Sequence, residues 1–244
     1  MELSRRLQAV ASLVTVGHRV ADIGTDHAYV PIYLMQERRA VFAIAMDVNE
    51  GPLKKAKEHV DRSSLNDKIE LRLSDGFEKL DPFEADTAVL AGMGGPLIIR
   101  ILEEYQETTL SLKECILQPQ SEIAKVRAFL IEEGFLFIRE DMVKDDGKYY
   151  PMIKVAVPHD HTVRHKAKSQ AAVSAWDETE LQYGKLLLEM KHPVLKEYLD
   201  REFAIRQQIL KRLEGKTGAA IEKRREELGE ELKYIRKGKD YYAV

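Results

Sequence analysis

The sequence predicts an α/β fold: a seven-stranded, mostly parallel sheet with a terminal antiparallel hairpin, followed by a C-terminal helical, coiled-coil-like domain. The first observation is that short β-rich runs alternate with amphipathic helical stretches from about residue 18 to 157. Such alternation is typical of a parallel sheet with helices on both faces. The second is that the sequence after Pro158 becomes long, charged and helical. The predicted domains are residues 1–160 and 161–244.

Two kinds of strand connection are predicted. Leu136–Val143 and Met152–Val157 are separated by turn residues without a helical pattern, which favours an antiparallel hairpin. Helical stretches are predicted to connect the other strands. Those strands are Arg19–Ile23, Val41–Asp47, Ile69–Leu73, Thr87–Ala91 and Cys115–Gln118. The helical stretches are Ala28–Arg38, Gly51–Arg62, Pro96–Gln106 and Ile123–Gly134.

The tail is predicted to contain an antiparallel helical hairpin, because apolar residues recur at multiples of seven in its last two segments. Glu202 and Arg212 interrupt the first seam, so packing against the core or a partner is an alternative. The three helical segments are Trp176–Lys191, Pro193–Leu213 and Ala219–Lys237. The recurring apolar residues are Leu195, Ile209, Ile221, Leu228 and Ile235, with Tyr198 and Ile205 offset by three.

Composition narrows the class of protein. Of the 244 residues, 44% are hydrophobic and 32% are charged, as in soluble globular proteins. No stretch approaches the ~18 consecutive apolar residues of a membrane span, and the amino terminus carries no secretory core. A cytoplasmic protein is therefore expected. The single cysteine, Cys115, lies in an apolar run and is predicted to be a buried strand residue rather than a nucleophile.

Charge differs between the two predicted domains. Residues 1–160 contain 20 Lys and Arg against 27 Asp and Glu, whereas residues 161–244 contain 18 against 14. The tail is therefore the better electrostatic partner for an anion, although an ordinary solvated helical surface would show the same excess.

The loop after the first strand has the pattern of a nucleotide-cofactor site but the wrong charge for a phosphate. Gly24 is its only glycine, and Asp22 and Asp26 flank it. A pyrophosphate at a helix start needs backbone N–H groups and no nearby anions. The loop is therefore predicted to bind a cationic or neutral ligand. S-adenosylmethionine has a sulfonium, an ammonium and a ribose, and no phosphate.

Carboxylates also follow the second and third strands. Asp47 is placed to accept hydrogen bonds from both ribose hydroxyls, while Asn49 is better placed to cap the next helix. Asp75 is a candidate acceptor for the exocyclic amine of the cofactor adenine, with Gly76 giving the ring access to the backbone. An ordinary Asp-Gly turn is the alternative for this pair.

The later strands end in groups suited to a flat base. Three glycines surround Met93 after the fourth strand and expose backbone against which an aromatic substrate can slide. Amides and tyrosines that follow can hydrogen-bond a base edge or stack on it, although helix capping and half-buried tyrosines are the ordinary alternatives. The predicted substrate contacts are Gly94, Gly95, Gln118, Pro119, Gln120, Tyr149 and Tyr150.

No metal site is predicted. His159, His161 and His165 lie together at the junction of the two domains, but the sequence offers no matching second cluster. No Gly-x-Ser-x-Gly or Walker loop supports hydrolysis or phosphoryl transfer.

Five segments together resemble the bacterial tRNA (adenine-22) N1-methyltransferase family. They are Arg6–Val14, Asp22–Pro31, Gly92–Gly95, Leu117–Gln120 and Tyr149–Ile153. The resemblance implies a Rossmann-like class I methyltransferase core, S-adenosyl-L-methionine as cofactor, and methyl transfer to N1 of adenine 22 in tRNA. Two departures stand out from the common methyltransferase pattern. The first loop has one glycine where many relatives have two or three, and Gly-Met-Gly-Gly replaces the Asn-Pro-Pro-Tyr type motif of amino-group methyltransferases, consistent with a ring nitrogen as target.

The predicted reaction and the strand-end positions suggest roles for the site residues. Asp26 and Tyr29 are the predicted catalytic residues: Asp26 stabilises the cationic product or holds the cofactor's ammonium, and Tyr29 contacts the base. The tail is predicted to contact tRNA or to pack on the core. The predicted cofactor-binding residues are Asp22, Gly24, Thr25, His27, Asp47, Val48, Asn49, Asp75, Gly76, Gly92 and Met93.

Two other functions stay open. The same core can act on a small molecule or a protein, which the acidic balance of residues 1–160 favours. A non-catalytic adaptor that binds the cofactor and recruits partners through its coiled coil is the second. A dehydrogenase is disfavoured, because Asp26 would face the pyrophosphate of its cofactor.

Overall fold

The computed structural model describes residues 3–158 and 176–243, and the chain divides into two compact units, 1–174 and 175–244. The predicted domain boundary at residue 160 lies outside the described residues. The first unit contains a seven-stranded sheet in the order β3-β2-β1-β4-β5-β7-β6. Strands β1 to β5 are parallel, and β7 is antiparallel to both β5 and β6. The predicted fold class is confirmed.

The elements of this unit follow the predicted order. The strands are β1 His18–Ile23, β2 Ala40–Asp47, β3 Ile69–Leu73, β4 Thr87–Met93, β5 Glu114–Pro119, β6 Leu136–Asp145 and β7 Lys148–Ala156. The helices are α1 Arg5–Leu13, α2 Tyr29–Gln36, α3 Glu50–Arg62, α4 Gly95–Glu104, α5 Gln106–Ser111 and α6 Ile123–Glu132.

The core lies on both faces of the sheet. Ala21 and Ile23 of β1 belong to one cluster of buried apolar side chains, and Val20 belongs to a second. Successive side chains of a strand point to opposite faces, so one short apolar strand supplies both layers. Cys115 of β5 is buried as predicted, and burial raises the pKa of its thiol to about 12.

The hairpin is longer than predicted. Strand β6 continues to Asp145, and strand β7 begins at Lys148. Only Asp146 and Gly147 remain in the turn, with φ values of +47° and +74°. Turns with positive φ at both positions match the right-handed twist of paired strands, which lets the ladder continue to the tip. Tyr149 and Tyr150 therefore belong to β7 and not to the connecting turn.

The second unit contains a helical hairpin. Its helices are α7 Glu178–Tyr183, α8 Lys185–Glu189, α9 Pro193–Arg212 and α10 Ala219–Asp240. Leu195 and Leu199 of α9 are buried, as are Leu228, Leu232 and Ile235 of α10. The predicted seam is wrong at Ile205, which is 37% exposed. The neighbouring Arg206 instead forms ion pairs with Glu202 and, across the hairpin, with Glu231.

Neither stretch of described chain contains a helix long and apolar enough to cross a membrane.

Candidate active site

The site lies where the strand order changes direction. β1 is flanked by β2 on one side and by β4 on the other, so the loops that leave β1 and β4 diverge and form a crevice at their carboxyl ends. Gly24, after β1, has φ +68°, and a Cβ atom there would collide with the Met93 side chain of β4. The positive φ favours glycine at this position, and the missing Cβ leaves room for the flexible end of the Met93 side chain.

Asp22 is a buried carboxyl at the base of the crevice. Only 5% of the residue is exposed, and its Oδ2 accepts a hydrogen bond from Thr25 Oγ1 at 2.5 Å. Burial raises the pKa of Asp22 to about 7; the Thr25 hydroxyl opposes this rise, and the charges of Asp26 and Asp47 add to it. A cation placed nearby would favour the ionised form of this carboxyl.

The loop that follows Asp22 carries an aromatic cluster. His27 and Ala28 both have φ +57°, and Ala28, buried at the start of α2, occupies the N-cap position. The Tyr29 ring stacks on His59 of α3, with centroids 5.2 Å apart and planes inclined by 21°. His59 Nδ1 lies 3.1 Å from the His27 carbonyl oxygen. Sequence reasoning missed His59, because it stands inside an ordinary amphipathic helix.

Asp26 is the exposed carboxylate of this loop. Its side chain is 66% exposed, and its Oδ1 lies 3.5 Å from His27 Nε2. Asp22 and Asp26 therefore differ sharply: one carboxyl is buried beneath the crevice and the other stands at its mouth.

The end of β2 holds Asp47 in a defined orientation. Asp47 Oδ1 accepts a hydrogen bond from the Asn49 backbone N–H at 2.7 Å. Asn49 takes the N-cap position of α3 as expected, but the expected capping by its side chain is wrong: that side chain makes no capping hydrogen bond in the described structure. Val48, between them, is 59% exposed.

Asp75, after β3, forms an ion pair that the sequence did not reveal. Arg100 Nη2 of α4 lies 2.9 and 3.3 Å from the two Asp75 carboxylate oxygens, and both side chains are about half exposed. Gly76 has φ +58°, and a Cβ atom there would lie 3.0 Å from Ile101. An adenine amine that approaches Asp75 therefore competes with Arg100.

The glycines around Met93 have separate structural reasons. Gly92 has φ +78°, and a Cβ atom there would lie 3.2 Å from Arg6 Nη1. Gly94 is the N-cap of α4. Gly95 is buried, and a Cβ atom there would lie 2.5 Å from the Ser121 carbonyl oxygen. Close packing therefore explains why residue 95 is a glycine. The exposed backbone surface that the sequence predicts here is limited to Gly92 and Gly94.

A cavity of about 320 Å³ gathers most of the predicted base contacts. It lies beside the ends of β5 and β7, and Lys148 brings a cation to its lining. The predicted contacts that line it are Gln118, Pro119, Gln120, Tyr149 and Tyr150.

Arg6 is a site residue that sequence reasoning missed. It lines the crevice together with Asp22, Gly24, Asp26 and Tyr29. Because Arg5-Arg6 opens an amphipathic helix like many others, only the resemblance to a family drew attention to this segment.

Metal ligands do not gather at this site. Within the part of the chain that the structure describes, no group of three or more His, Cys, Asp and Glu side chains is arranged to hold a metal ion. His159, His161 and His165 lie outside the described residues.

Comparison with known proteins places this geometry in a family. Residues 3–153 match a family described as a methyltransferase domain. The chain is 40% identical over 153 residues to a tRNA (adenine(22)-N(1))-methyltransferase of Bacillus subtilis, and this alignment spans 63% of the chain and 64% of that relative.

Solved structures extend the similarity to both units. The crystal structure of the B. subtilis M1A22 tRNA methyltransferase TrmK is similar with a TM-score of 0.80 and 30% identity, covering 97% of this chain and 98% of that one. The structure of M. capricolum TrmK in complex with S-adenosyl-homocysteine has a TM-score of 0.80 and 27% identity, covering 99% of each chain. The resemblance predicted from five motifs is confirmed. The chain belongs to the methyltransferase domain family, alongside the bacterial tRNA (adenine(22)-N(1))-methyltransferases.

Proposed function

We propose that this chain transfers a methyl group from S-adenosyl-L-methionine to N1 of adenine 22 in tRNA. The observation that carries the proposal is that an acidic crevice and a cavity lined by amides and tyrosines lie at one edge of the sheet. The crevice suits a cationic donor, and the cavity suits a flat base. The activity of the B. subtilis relative supports the choice of base and position.

The residues of the crevice fit the cofactor. Asp47, oriented by the Asn49 N–H, is proposed to accept the ribose hydroxyls. Asp22, with its raised pKa, becomes ionised beside the ammonium group. Asp75 is proposed to accept a hydrogen bond from the adenine amine once its ion pair with Arg100 is broken. The remaining proposed cofactor contacts are Gly24, Thr25, His27, Val48, Asn49, Gly76, Gly92 and Met93.

Methyl transfer to adenine N1 requires that the base be positioned correctly, and it does not require a strong base, because N1 already carries a lone pair. When bound, S-adenosyl-L-methionine supplies a methyl group on a sulfonium, and its transfer to the N1 lone pair leaves the base positively charged. Asp26, exposed at the mouth of the crevice, is placed to offset that charge. Tyr29, braced by His59, is proposed to hold the base edge close to the donor.

The helical unit is proposed to bind tRNA phosphates, and a tRNA substrate implies that the enzyme works in the cytoplasm. Lys211, Lys216 and Lys223 are exposed in this unit. Replacing all three by Gln in the full chain should weaken tRNA binding and flatten its salt dependence, by about 0.7–0.9 in the logarithmic slope for each phosphate that a lysine no longer neutralises. An unchanged slope would assign this unit a purely structural role.

Methyl transfer itself is tested with labelled S-adenosyl-L-methionine and two unmodified tRNA transcripts. The expected result is label in N1-methyladenosine with adenine at position 22, and none in a matched transcript with guanine there. Label in neither transcript, with cofactor binding intact, would favour a small-molecule or protein substrate, or an adaptor.

A further inference from the structure

Arg6 joins parts of the fold that are far apart in sequence. Its backbone N–H donates to Asp145 Oδ2 at the hairpin tip, at 3.1 Å and 139 positions away. The start of the same helix is capped by Ser4, whose Oγ accepts from the Leu7 N–H. Two hydrogen bonds, one from the Arg6 backbone and one to the N-cap residue Ser4, therefore fix the first turn of α1. They also fix the point from which the Arg6 side chain extends.

The guanidinium of Arg6 reaches the ends of three strands. Its Nη1 donates to Gln118 Oε1 of β5 at 2.9 Å. Its Cζ lies 5.6 Å from the centroid of the Tyr150 ring of β7, within the range of a cation–π contact. The same Nη1 lies 3.2 Å from the position that a Cβ atom at Gly92 of β4 would take.

These contacts place Arg6 between the two parts of the site. The arginine itself lines the acidic crevice, whereas its partners Gln118 and Tyr150 line the neighbouring cavity of about 320 Å³. Gln118 is fully buried, so its amide cannot exchange partners with water.

An arginine can only donate hydrogen bonds, and this limits how Gln118 is oriented. The amide must present its oxygen to Arg6, and its Nε2 then donates to the Pro119 carbonyl oxygen at 3.3 Å. A neutral or acceptor side chain at position 6 would leave the amide free to flip. Arg6 thus sets one of two amide orientations in the wall of the base cavity.

We propose that Arg6 is a positioning residue for methyl transfer, which fixes the Gln118 amide and the Tyr150 ring so that the base is held toward the donor crevice. The inference rests on the proposed function and deepens it. A base held about 1 Å away from its reactive position costs about 100-fold in rate. Loss of Arg6 should therefore lower kcat on tRNA much more than it weakens cofactor binding.

The test compares Arg6→Ala and Arg6→Lys with Arg5→Ala, which removes the same charge from an exposed position on the same turn. For Arg6→Ala we expect kcat to fall about 100-fold, with the Kd for the cofactor within threefold of wild type by calorimetry. Arg6→Lys keeps a donor and should recover part of the loss, and Arg5→Ala should match wild type. The Lys variant also keeps the experiment decisive if the Ala variant unfolds, which thermal melting shows.

A double-mutant cycle with Gln118→Ala tests whether Arg6 acts through the amide. If it does, Arg6→Ala combined with Gln118→Ala loses no more activity than the more damaging single change. Independent, multiplicative losses, or Arg6→Ala activity within twofold of wild type, would overturn the inference and leave the proposed function intact. A wild-type chain that binds cofactor but methylates no tRNA would overturn the proposed function and this inference together.

Discussion

The two edges of the sheet treat buried carboxylates in opposite ways. At the amino-terminal edge, Glu114 of β5 is 6% exposed; at the carboxyl-terminal edge, Asp22 of β1 is 5% exposed. Burial alone would raise both pKa values, yet the pKa of Glu114 is lowered whereas that of Asp22 is raised to about 7. Similar solvent exposure therefore does not decide the charge of a carboxyl: Asp22 lies deeper in the protein, and Glu114 has more hydrogen-bond donors.

The partners of Glu114 form a complete network. Its oxygens accept from the Thr15 N–H and Oγ1, at 2.9 and 2.6 Å, and from Thr87 Oγ1 at 3.0 Å. Lys154 Nζ lies 3.0 Å from Oε2. Asp22 accepts from the Thr25 hydroxyl, and the charges that shift its pKa are those of Asp26 and Asp47. At the amino-terminal edge, the hydrogen bonds and the ion pair of Glu114 stabilise the fold. At the carboxyl-terminal edge, Asp22 lacks a cationic partner among the groups that shift its pKa, and a cationic ligand can supply one.

The largest expected effect on stability comes from removing Glu114 at the amino-terminal edge. Glu114→Ala removes the carboxylate and leaves Lys154, whose side chain is only 13% exposed, without it, which should lower the free energy of unfolding by about 3–5 kcal/mol. Denaturant unfolding at neutral pH measures the change. Glu132→Ala, at an exposed position, is the control and should stay close to wild type. A loss below about 1 kcal/mol for Glu114→Ala would show that the network is not stabilising.

The second prediction concerns pH. Because the folded pKa of Asp22, about 7, exceeds its ordinary value of 3.8, the folded state binds the proton more tightly. The contribution of Asp22 to the free energy of unfolding therefore falls as the pH rises from 4 to 7, by at most about 4 kcal/mol. Asp22→Asn should remove this slope, seen as a stability gain over wild type that grows with pH.

Glu114 should show the opposite sign. Its folded pKa is lowered, so its stabilising contribution is present above the ordinary carboxyl pKa and is lost as the pH falls through the lowered value. A gain for Asp22→Asn that is constant between pH 4 and 7 would contradict the contrast between the two edges.

The third prediction uses cofactor binding to compare carboxylates at the two edges of the sheet. Asp47→Ala removes a carboxylate acceptor at the carboxyl-terminal edge and should weaken S-adenosyl-L-methionine binding by about 1.5–3 kcal/mol in calorimetry. Asp67→Ala removes an exposed carboxylate just before β3, at the other edge, and should leave the affinity unchanged. Equal Kd values for the two variants would remove Asp47 from the proposed site.

The smallest expected effect concerns the ion pair that holds Asp75. Arg100→Ala releases the Asp75 carboxylate for the adenine amine, and because both partners are half exposed the gain in cofactor affinity should be at most about fivefold. Calorimetry measures it, with Arg100→Lys as the variant that keeps the charge. Weaker cofactor binding by Arg100→Ala would instead assign Arg100 the task of orienting Asp75.

Local pattern was enough for the sheet and for most strand-end residues. Apolar runs predicted all seven strands. Asp22, Asp47, Gly92 and Gln118 lie at the strand ends as predicted, because parallel strands bring their carboxyl ends to one edge. The hairpin was predicted too short, since strand length depends on how well the turn fits the twist of its neighbours. Ile205 was placed in a buried seam because a heptad count does not reveal an ion pair across the hairpin.

By itself, the amino-acid sequence determined the order of strands and helices and the acidic chemistry of the first loop, because both depend on residues close together in the chain. Only the tertiary structure decided which side chains complete the site. Arg6 meets Gln118 across 112 positions, Arg100 meets Asp75 across 25, and His59 stacks on Tyr29 from another helix. Helix packing on the sheet creates these contacts, and amphipathic periodicity specifies a buried face but not the partner that a polar side chain finds there.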